Sequence, residues 1–278
     1  MSFHEDKISV RGVETLVRRG GDGPPLVYLH SAGNEGWPPA LELLCARREV
    51  IAPVAPGFPG SGGLEHVDHV SDVALHTVDV FEALALDRPA VLGASLGGWV
   101  AAELAARYPK EVGPLLLVDA AGLWIDESPP AEIFGVTPAE LAEITFHDQE
   151  HPAAQMLRSF AFGFDAGGKP VGTDDLPPDE LILPMVQALE AAARIAWNPY
   201  LHDPKLPRLL GRVRSPTLIV WGDHDRLLDP IYARRYQELI PGSEVRFIEG
   251  CGHMPAIERP EALAEIAEEF LDRVDEGR

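Results

Sequence analysis

The sequence predicts an α/β fold, a mostly parallel β-sheet with helices on both faces plus a helical cap inserted after the sixth strand. Short apolar segments alternate with amphipathic segments up to about residue 123 and again from about residue 203, as in a parallel sheet covered by helices. The block between them does not alternate, because helical pieces follow one another there across Pro- and Gly-rich joints. We therefore assign residues 1–123 and 203–278 to the core and residues 124–202 to the cap.

Six strands are predicted before the cap. KISVRG and VETLVRRG are interpreted as a hairpin. PLVYLHSAG and EVIAPVAPGFPG are apolar and end in Gly or Pro, which is typical of buried parallel strands. PAVLGAS and VGPLLLVDAAG are the fifth and sixth strands. SDVALHTVDVFEALAL and LGGWVAAELAARYP have helical spacing, and we expect Ser71 to cap the first of these two helices.

The alternation returns after the cap. SPTLIVWGD and SEVRFIEG predict two more strands, with a helix over PIYARRYQELIPG between them and a closing helix over PEALAEIAEEFLDRV. Within the cap, PAELAEIT, AAQMLRSFAF and DELILPMVQALEAAARIAW are interpreted as helices.

Composition excludes several classes of function. The formal net charge of −21 argues against nucleic acid or an anionic membrane as a partner, since both require basic surfaces. The N-terminus lacks the apolar run of a signal peptide, and two cysteines cannot form a disulfide framework, so we expect a cytoplasmic protein. No metal-ligand cluster, phosphate-binding loop or dinucleotide fingerprint is present, and no cofactor is predicted. The sequence leaves the oligomeric state open.

One serine stands at a predicted strand–helix junction between glycines, in the segment Gly93–Gly97. A tight turn there strains its central residue and crowds the positions two before and two after it, which therefore need to be Gly. Such a turn exposes the oxygen of Ser95 and directs the N–H groups of the following helix toward a developing oxyanion. We interpret Ser95 as a nucleophile.

A nucleophilic serine needs a base, and ten histidines are available. His253 lies in the loop after the last predicted strand, at the same sheet edge as Ser95, where open α/β sheets bind ligands. His30 ends a strand and is interpreted as a structural histidine. The remaining histidines lie in polar loops or on helix faces.

Five segments in order resemble the α/β-hydrolase superfamily, and the resemblance covers essentially the whole chain. They are LVYLHSAG (oxyanion strand and loop), APVAPGFPGSG, GASLGG (nucleophile elbow), WGDHD (W-G-x-x-D acid segment) and GCGHMPAIERP (G-H-x-P-x-x-E-x-P segment). The resemblance implies Ser95 as nucleophile, His253 as general base and acid, and the N–H groups of Ala32 and Leu96 as oxyanion donors. Two positions depart from the pattern: Ser31 stands where many relatives have Gly, and Val54 where Asp is common.

Three aspartates compete for the role of the acid. Asp119 closes the strand LLLVD, and Asp223 and Asp225 both follow the strand TLIVW. Asp225 occupies the acid position of W-G-x-x-D and lies far enough into its loop to reach the histidine loop. We therefore expect Asp225 to orient His253, with Asp119 as the next candidate and Asp223 as the last.

The predicted reaction is hydrolysis of a small, largely apolar carboxylic ester through an acyl-enzyme. The apolar residues between Trp124 and Trp197 favour an apolar small-molecule substrate: Phe134, Phe146, Met156, Phe160, Phe162 and Phe164. The alternatives are a carbon–carbon bond hydrolase of a dienoate-type ketone, a cofactor-free perhydrolase, and a non-catalytic small-molecule receptor. Carbon–carbon hydrolases favour a cap arginine, for which Arg158 and Arg194 are candidates, although both are interpreted as surface charges. Glu35 is interpreted as a solvated loop carboxylate.

Overall fold

An eight-stranded sheet forms the centre of the computed structural model, which describes residues 3–34, 36–160 and 178–277. The strands are β1 His4–Val10, β2 Val13–Gly20, β3 Pro25–Leu29, β4 Glu49–Pro53, β5 Ala90–Ala94, β6 Leu115–Val118, β7 Thr217–Gly222 and β8 Glu244–Ile248. Their spatial order is β1-β2-β4-β3-β5-β6-β7-β8. Strands β1 and β2 form the antiparallel hairpin, β2 pairs antiparallel with β4, and the remaining pairs are parallel. The predicted fold class is confirmed.

Helices cover both faces of this sheet. They are α1 Pro39–Leu44, α2 Val70–Ala83, α3 Leu96–Arg107, α4 Pro138–Thr145, α5 Pro152–Ser159, α6 Asp179–Ala196, α7 Leu206–Leu209, α8 Ile231–Leu239, α9 Pro255–Glu258 and α10 Pro260–Glu276. The short helices α1, α7 and α9 were not predicted, because four to six residues are too few to show a helical period. No helix in the described part of the chain is long and apolar enough to cross a membrane.

The core has two layers, one on each face of the sheet. One layer packs β-strand side chains against α2, α3 and α8, and includes Phe81, Trp221 and Tyr236. The other packs them against α1 and α10, and includes Leu44 and Phe270. Each such side chain contributes about 1.5–3 kcal/mol by burial. Because both faces are covered, the central strands are apolar throughout, and their carboxyl ends are held in fixed relative positions.

The start of α2 differs from the prediction. Helix α2 begins at Val70 with His69 at the N-cap, so Ser71 lies inside the first turn. The carboxylate of Asp72 accepts hydrogen bonds from the N–H groups of Asp68 and His69, both at 2.9 Å. An acidic side chain in the first turn therefore holds the backbone that leads into the helix, and Ser71 is not the capping residue.

Helices α4, α5 and α6 form the insertion between β6 and β7. Helix α6 is attached to the loop after β4: Gln187 Nε2 donates to the Gly57 carbonyl at 3.2 Å, and Arg194 Nε donates to the Val67 carbonyl at 2.7 Å. On the other side, the Thr145 carbonyl at the end of α4 accepts the N–H of His253 at 2.7 Å. The insertion is thus bonded to the core on both sides of the sheet's carboxyl edge.

Candidate active site

Four side chains with hydroxyl, carboxyl or imidazole groups meet at the carboxyl edge of the sheet. Ser95 follows β5, Asp119 follows β6, Asp225 lies in the loop after β7, and His253 lies in the loop after β8. Because β5 to β8 are consecutive parallel neighbours, their carboxyl ends lie side by side.

Ser95 has the backbone strain that the sequence predicts for this junction. Its φ is 53° and its ψ is −113°, which an L-residue adopts at a cost of about 1–3 kcal/mol. The turn leaves no room for side chains on either side: a Cβ at Gly93 would lie 2.3 Å from the Gly97 carbonyl oxygen, and one at Gly97 would lie 2.1 Å from the Leu29 carbonyl oxygen. The Ser95 N–H donates to the Val118 carbonyl at 2.9 Å, which holds the strained turn against β6.

A continuous hydrogen-bonded chain joins three of the predicted residues. Ser95 Oγ lies 2.8 Å from His253 Nε2, and His253 Nδ1 lies 2.7 Å from Asp225 Oδ2. Both His253 and Asp225 are 4% exposed. Because an ionised carboxylate only accepts, the proton is on Nδ1, which leaves the Nε2 lone pair facing the serine hydroxyl.

The second oxygen of Asp225 is also held. Its Oδ1 accepts the N–H groups of Leu227 at 2.8 Å and Leu228 at 2.9 Å. Together with the imidazole, Asp225 therefore receives three donors, and hydrogen bonds of this kind favour the charged form of a carboxylate.

Asp119 and Asp223 occupy different surroundings. Asp119 is 1% exposed, and its Oδ1 accepts the Gly222 N–H at 2.9 Å. One of its oxygens lies within 4.8 Å of Asp225 and of His253, so it reaches the same cluster without bonding the imidazole. Asp223 Oδ1 faces His224 at 2.6 Å and the Cys251 N–H at 3.3 Å. Asp223 thus pairs with His224 and Cys251 and does not hydrogen-bond to His253.

A buried glutamate, to which sequence reasoning gave no role, fixes the histidine loop. Glu258 is 4% exposed; its Oε2 accepts the Gly252 N–H at 2.7 Å and its Oε1 accepts the Asp148 N–H at 2.5 Å. One carboxylate therefore joins the residue before His253 to the segment after α4. In the sequence, Glu258 matches the Glu of the G-H-x-P-x-x-E-x-P pattern, which is the signal that could have identified it.

The oxyanion segment forms a tight turn after β3. The Asn34 N–H donates to the Ser31 carbonyl at 3.1 Å, and the Gly33 N–H donates to Ser31 Oγ at 3.2 Å. Ser31 thus supplies a side-chain acceptor within the turn where many relatives have Gly. Within residues 3–34, 36–160 and 178–277, neither the Ala32 N–H nor the Leu96 N–H donates to a protein acceptor.

His30 holds this turn in place. Its Nδ1 lies 2.7 Å from the Ser31 carbonyl, and its Nε2 accepts the Ala55 N–H at 3.0 Å. The imidazole therefore bridges the loops after β3 and β4, which is the structural role expected from the sequence.

Both arginines considered for a substrate carboxylate have protein partners. Arg194 bonds the Val67 carbonyl and Asp68, and Arg158 bonds the carbonyl and side chain of Gln149.

Aromatic residues of the insertion contact one another: the ring centroid of Phe134 lies 5.3 Å from that of Trp197 and 6.0 Å from that of Tyr200. Trp124, Met156 and Trp197 are exposed, whereas Phe146 and Phe160 are buried. Glu35, Phe162 and Phe164 lie outside the described residues.

The cluster of Asp119, Asp225 and His253 also contains donor atoms that metal ions accept. The 2.7 Å separation of His253 Nδ1 and Asp225 Oδ2 is, however, that of a hydrogen bond, and its proton occupies the side of the imidazole that faces the carboxylates. We therefore interpret the cluster as a hydrogen-bonded group of side chains and not as a metal site.

A family model described as the alpha/beta hydrolase family matches residues 26–266. The chain belongs to this family. The resemblance stated from the motifs is thereby confirmed, as is the prediction that the protein is a hydrolase.

Curated relatives and solved structures match most of the α/β hydrolase chain. An uncharacterized protein of Mycobacterium tuberculosis is 27% identical over 284 residues, covering 96% of this chain and 81% of its own. A 2-hydroxy-6-oxo-6-phenylhexa-2,4-dienoate hydrolase of Burkholderia cepacia is 25% identical over 267 residues, covering 90% and 88%. The crystal structure of a bacterial membrane phospholipase A superposes with a TM-score of 0.77 at 26% identity, covering 98% of this chain and 87% of that one.

Proposed function

We propose that this α/β hydrolase is a serine hydrolase that cleaves a small, largely apolar carboxylic ester through an acyl-enzyme. The observation that carries the proposal is the chain from Ser95 Oγ through His253 to Asp225, with separations of 2.8 and 2.7 Å, built on a strained elbow. A nucleophile within reach of a base that a third group orients is the arrangement that acyl transfer requires.

In the acylation step, His253 Nε2 accepts the proton of Ser95 while Oγ attacks the ester carbonyl carbon. Asp225 stabilises the resulting imidazolium through the 2.7 Å hydrogen bond to Nδ1. The imidazolium then donates its Nε2 proton to the departing alcohol. In the second step, a water molecule gives a proton to Nε2 and attacks the acyl carbon. The bond between the acyl carbon and Oγ then breaks while the imidazolium returns its Nε2 proton to Ser95, which releases the acid and restores both residues.

The backbone N–H groups of Ala32 and Leu96 are the proposed donors to the oxyanion. Neither has a protein acceptor in the described part of the chain, so both are available to a ligand. Leu96 is the first residue of α3, so the helix dipole adds to its donor strength. Each donor of this kind contributes about 3–4 kcal/mol to the stabilisation of a tetrahedral transition state.

Residues 124–202 are the proposed cap over this site. The bonds of Gln187, Arg194 and Thr145 to core loops on both sides of the sheet edge support that position. The cavity next to Leu96 has a volume of about 20 Å³ and is lined mostly by apolar side chains that include Phe58 and Ile195, so it supports apolar surroundings beside the elbow and not a substrate pocket. The phospholipase A relationship supports ester chemistry.

Carbon–carbon bond hydrolysis of a dienoate-type ketone is the second candidate, supported by the relative from Burkholderia cepacia. Such substrates carry a carboxylate and favour a cationic partner. Arg158 and Arg194 are both engaged with protein groups, which disfavours this candidate relative to the ester.

The test is a series of p-nitrophenyl esters of graded acyl length, run beside a dienoate ketone. We expect kcat/KM to be higher for apolar esters than for charged ones, and higher for the esters than for the ketone. Ser95→Ala should lower kcat by about 10⁵-fold and abolish labelling by a fluorophosphonate, because it removes the nucleophile. Ser71→Ala, a change inside the first turn of α2, is the matched control and should retain activity and labelling.

Three results would contradict the proposal. Faster turnover of the ketone would favour carbon–carbon hydrolysis. Binding of esters without turnover by the unaltered protein would indicate a receptor. Full activity of Ser95→Ala would exclude the serine mechanism.

A further inference from the structure

Asp119 is a buried carboxyl group that the proposed reaction does not use. It is 1% exposed, and its Oδ2 has no hydrogen-bond partner among the described residues. Its backbone has a φ of 44°, and its N–H donates to the Val220 carbonyl at 3.0 Å, so the residue is held firmly at the end of β6. A buried polar group in such a position requires an explanation.

Asp119 and Asp225 lie close together in a buried site. One oxygen of each lies within 4.8 Å of the other, and both residues are buried. Two carboxylates that share a low-dielectric site repel each other, which favours a proton on one of them.

The hydrogen-bond donors decide which carboxyl group keeps the charge. Asp225 receives the N–H groups of Leu227 and Leu228 and the Nδ1–H of His253. Asp119 receives one donor, the N–H of Gly222. The carboxylate with three donors is the more stable anion, which favours the negative charge on Asp225 and the proton on Asp119.

Two other titratable groups lie near Asp119. These groups are the Glu258 carboxylate, whose negative charge also raises the pKa of Asp119, and the His253 imidazole, which lies within 4.8 Å of Asp119 and directs its Nδ1–H to Asp225. Burial, followed by the negative charge of Asp225, raises the pKa of Asp119 well above its ordinary value.

We propose that Asp119 is protonated in the resting enzyme and acts as a positioning residue, which leaves Asp225 as the single negative charge facing His253. The inference rests on the proposed serine hydrolase mechanism, because it assigns the charge that stabilises the imidazolium. Asp119 also accepts the N–H of Gly222, the last residue of β7, and so holds the start of the loop that carries Asp225.

The protonation state of Asp119 can be measured by infrared spectroscopy of the full chain at pH 7. The difference spectrum between the unaltered protein and Asp119→Asn should contain the C=O stretch of a protonated carboxylic acid. Glu103→Gln is the control, since burial also raises the pKa of Glu103 and its band must be assigned separately. In Asp225→Asn the Asp119 band should disappear at a lower pH, because the neighbouring negative charge is gone.

The charge assignment is tested by the NMR signal of the His253 Nδ1–H proton at pH 7, identified by its loss in His253→Gln. Asp119→Asn exchanges one neutral group for another, so this signal should keep its chemical shift. Asp225→Asn removes the charged acceptor of the 2.7 Å hydrogen bond, so the signal should move upfield. If Asp119 had only a packing role, its carboxylic acid band would not respond to Asp225→Asn.

Two results would overturn the inference. One is the absence of a protonated carboxyl band from Asp119 at pH 7. The other is a displacement of the His253 Nδ1–H signal in Asp119→Asn as large as that in Asp225→Asn. If Asp119→Asn does not fold, the inference is tested on the carboxylic acid band of the unaltered protein. The inference is supported if this band remains in Glu103→Gln and disappears at a lower pH in Asp225→Asn. It is overturned if no such band is present. Neither readout depends on turnover. The inference about Asp119 can therefore fail while Ser95 remains essential for activity, and the serine mechanism can fail while Asp119 is still protonated.

Discussion

Gly222 and Gly252 are in backbone contact, so a Cβ at Gly222 would lie 2.0 Å from the Gly252 carbonyl oxygen. Gly222 ends β7 and starts the loop that carries Asp225, and Gly252 directly precedes His253. The acid loop and the histidine loop therefore meet at two residues without side chains. This contact allows Asp225 and His253 to approach to 2.7 Å.

Gly222→Ala should separate these loops. The added methyl group would collide with backbone atoms of Cys251 and Gly252, which have no free rotation to relieve the contact. We expect the free energy of unfolding to fall by about 3 kcal/mol and kcat to fall with it. Urea denaturation and ester kinetics measure both. Gly211→Ala, where a Cβ meets nothing within 4 Å, is the matched control, and an equal loss in that variant would contradict the explanation.

Asp225→Asn should lower kcat by about 10⁴-fold with little change in KM, because the imidazole loses the partner that holds its tautomer. Asp223→Asn is the control in the same loop. It loses contacts to His224 and Cys251, so its effect should be on the melting temperature and only slightly on kcat. Steady-state kinetics and thermal melts of the two variants separate these effects. A larger kcat loss in Asp223→Asn would reverse the assignment of the acid.

Glu258→Gln should loosen the histidine loop. The glutamate accepts the N–H groups of Gly252 and Asp148 on separate oxygens, whereas a glutamine presents an NH₂ group to one of them. The unpaired donors should cost about 2 kcal/mol of stability, and the rate of labelling of Ser95 by a fluorophosphonate should fall about tenfold. Glu261→Gln, at an exposed position of α10, should change neither quantity. Unchanged labelling in Glu258→Gln would show that the loop does not need this carboxylate.

Arg48→Met should destabilise the attachment of α10 to the segment after α1. The Arg48 side chain is 5% exposed and bonds Glu268, Asp272 and Asp275 at 3.0 to 3.1 Å. Its loss leaves three acidic groups without their shared partner, which should cost about 3 kcal/mol in urea denaturation. Arg47→Met is the matched control, because Arg47 is 54% exposed and its ion pair with Asp272 should be worth less than about 1 kcal/mol. Equal losses in the two variants would show that burial does not set the difference.

The sequence alone was sufficient for the fold class and for the order of the motifs. Alternating apolar segments specify buried parallel strands, because strands covered on both faces must be apolar throughout. The glycines around Ser95 specify the elbow, because a Cβ at Gly93 or Gly97 collides with backbone. These properties depend on residues close together in the chain, so local chemistry is enough to predict them.

The tertiary structure decided what depends on residues far apart in the chain. Both Asp119 and Asp225 come within 4.8 Å of His253, and only the positions of the loops show that Asp225 bonds Nδ1 while Asp119 bonds Gly222. The contacts of Glu258 with Gly252 and Asp148 are likewise absent from any local pattern, since Asp148 lies 110 residues away. Hydrogen bonds act over about 3 Å, so their partners follow from the packing of whole elements and not from sequence spacing.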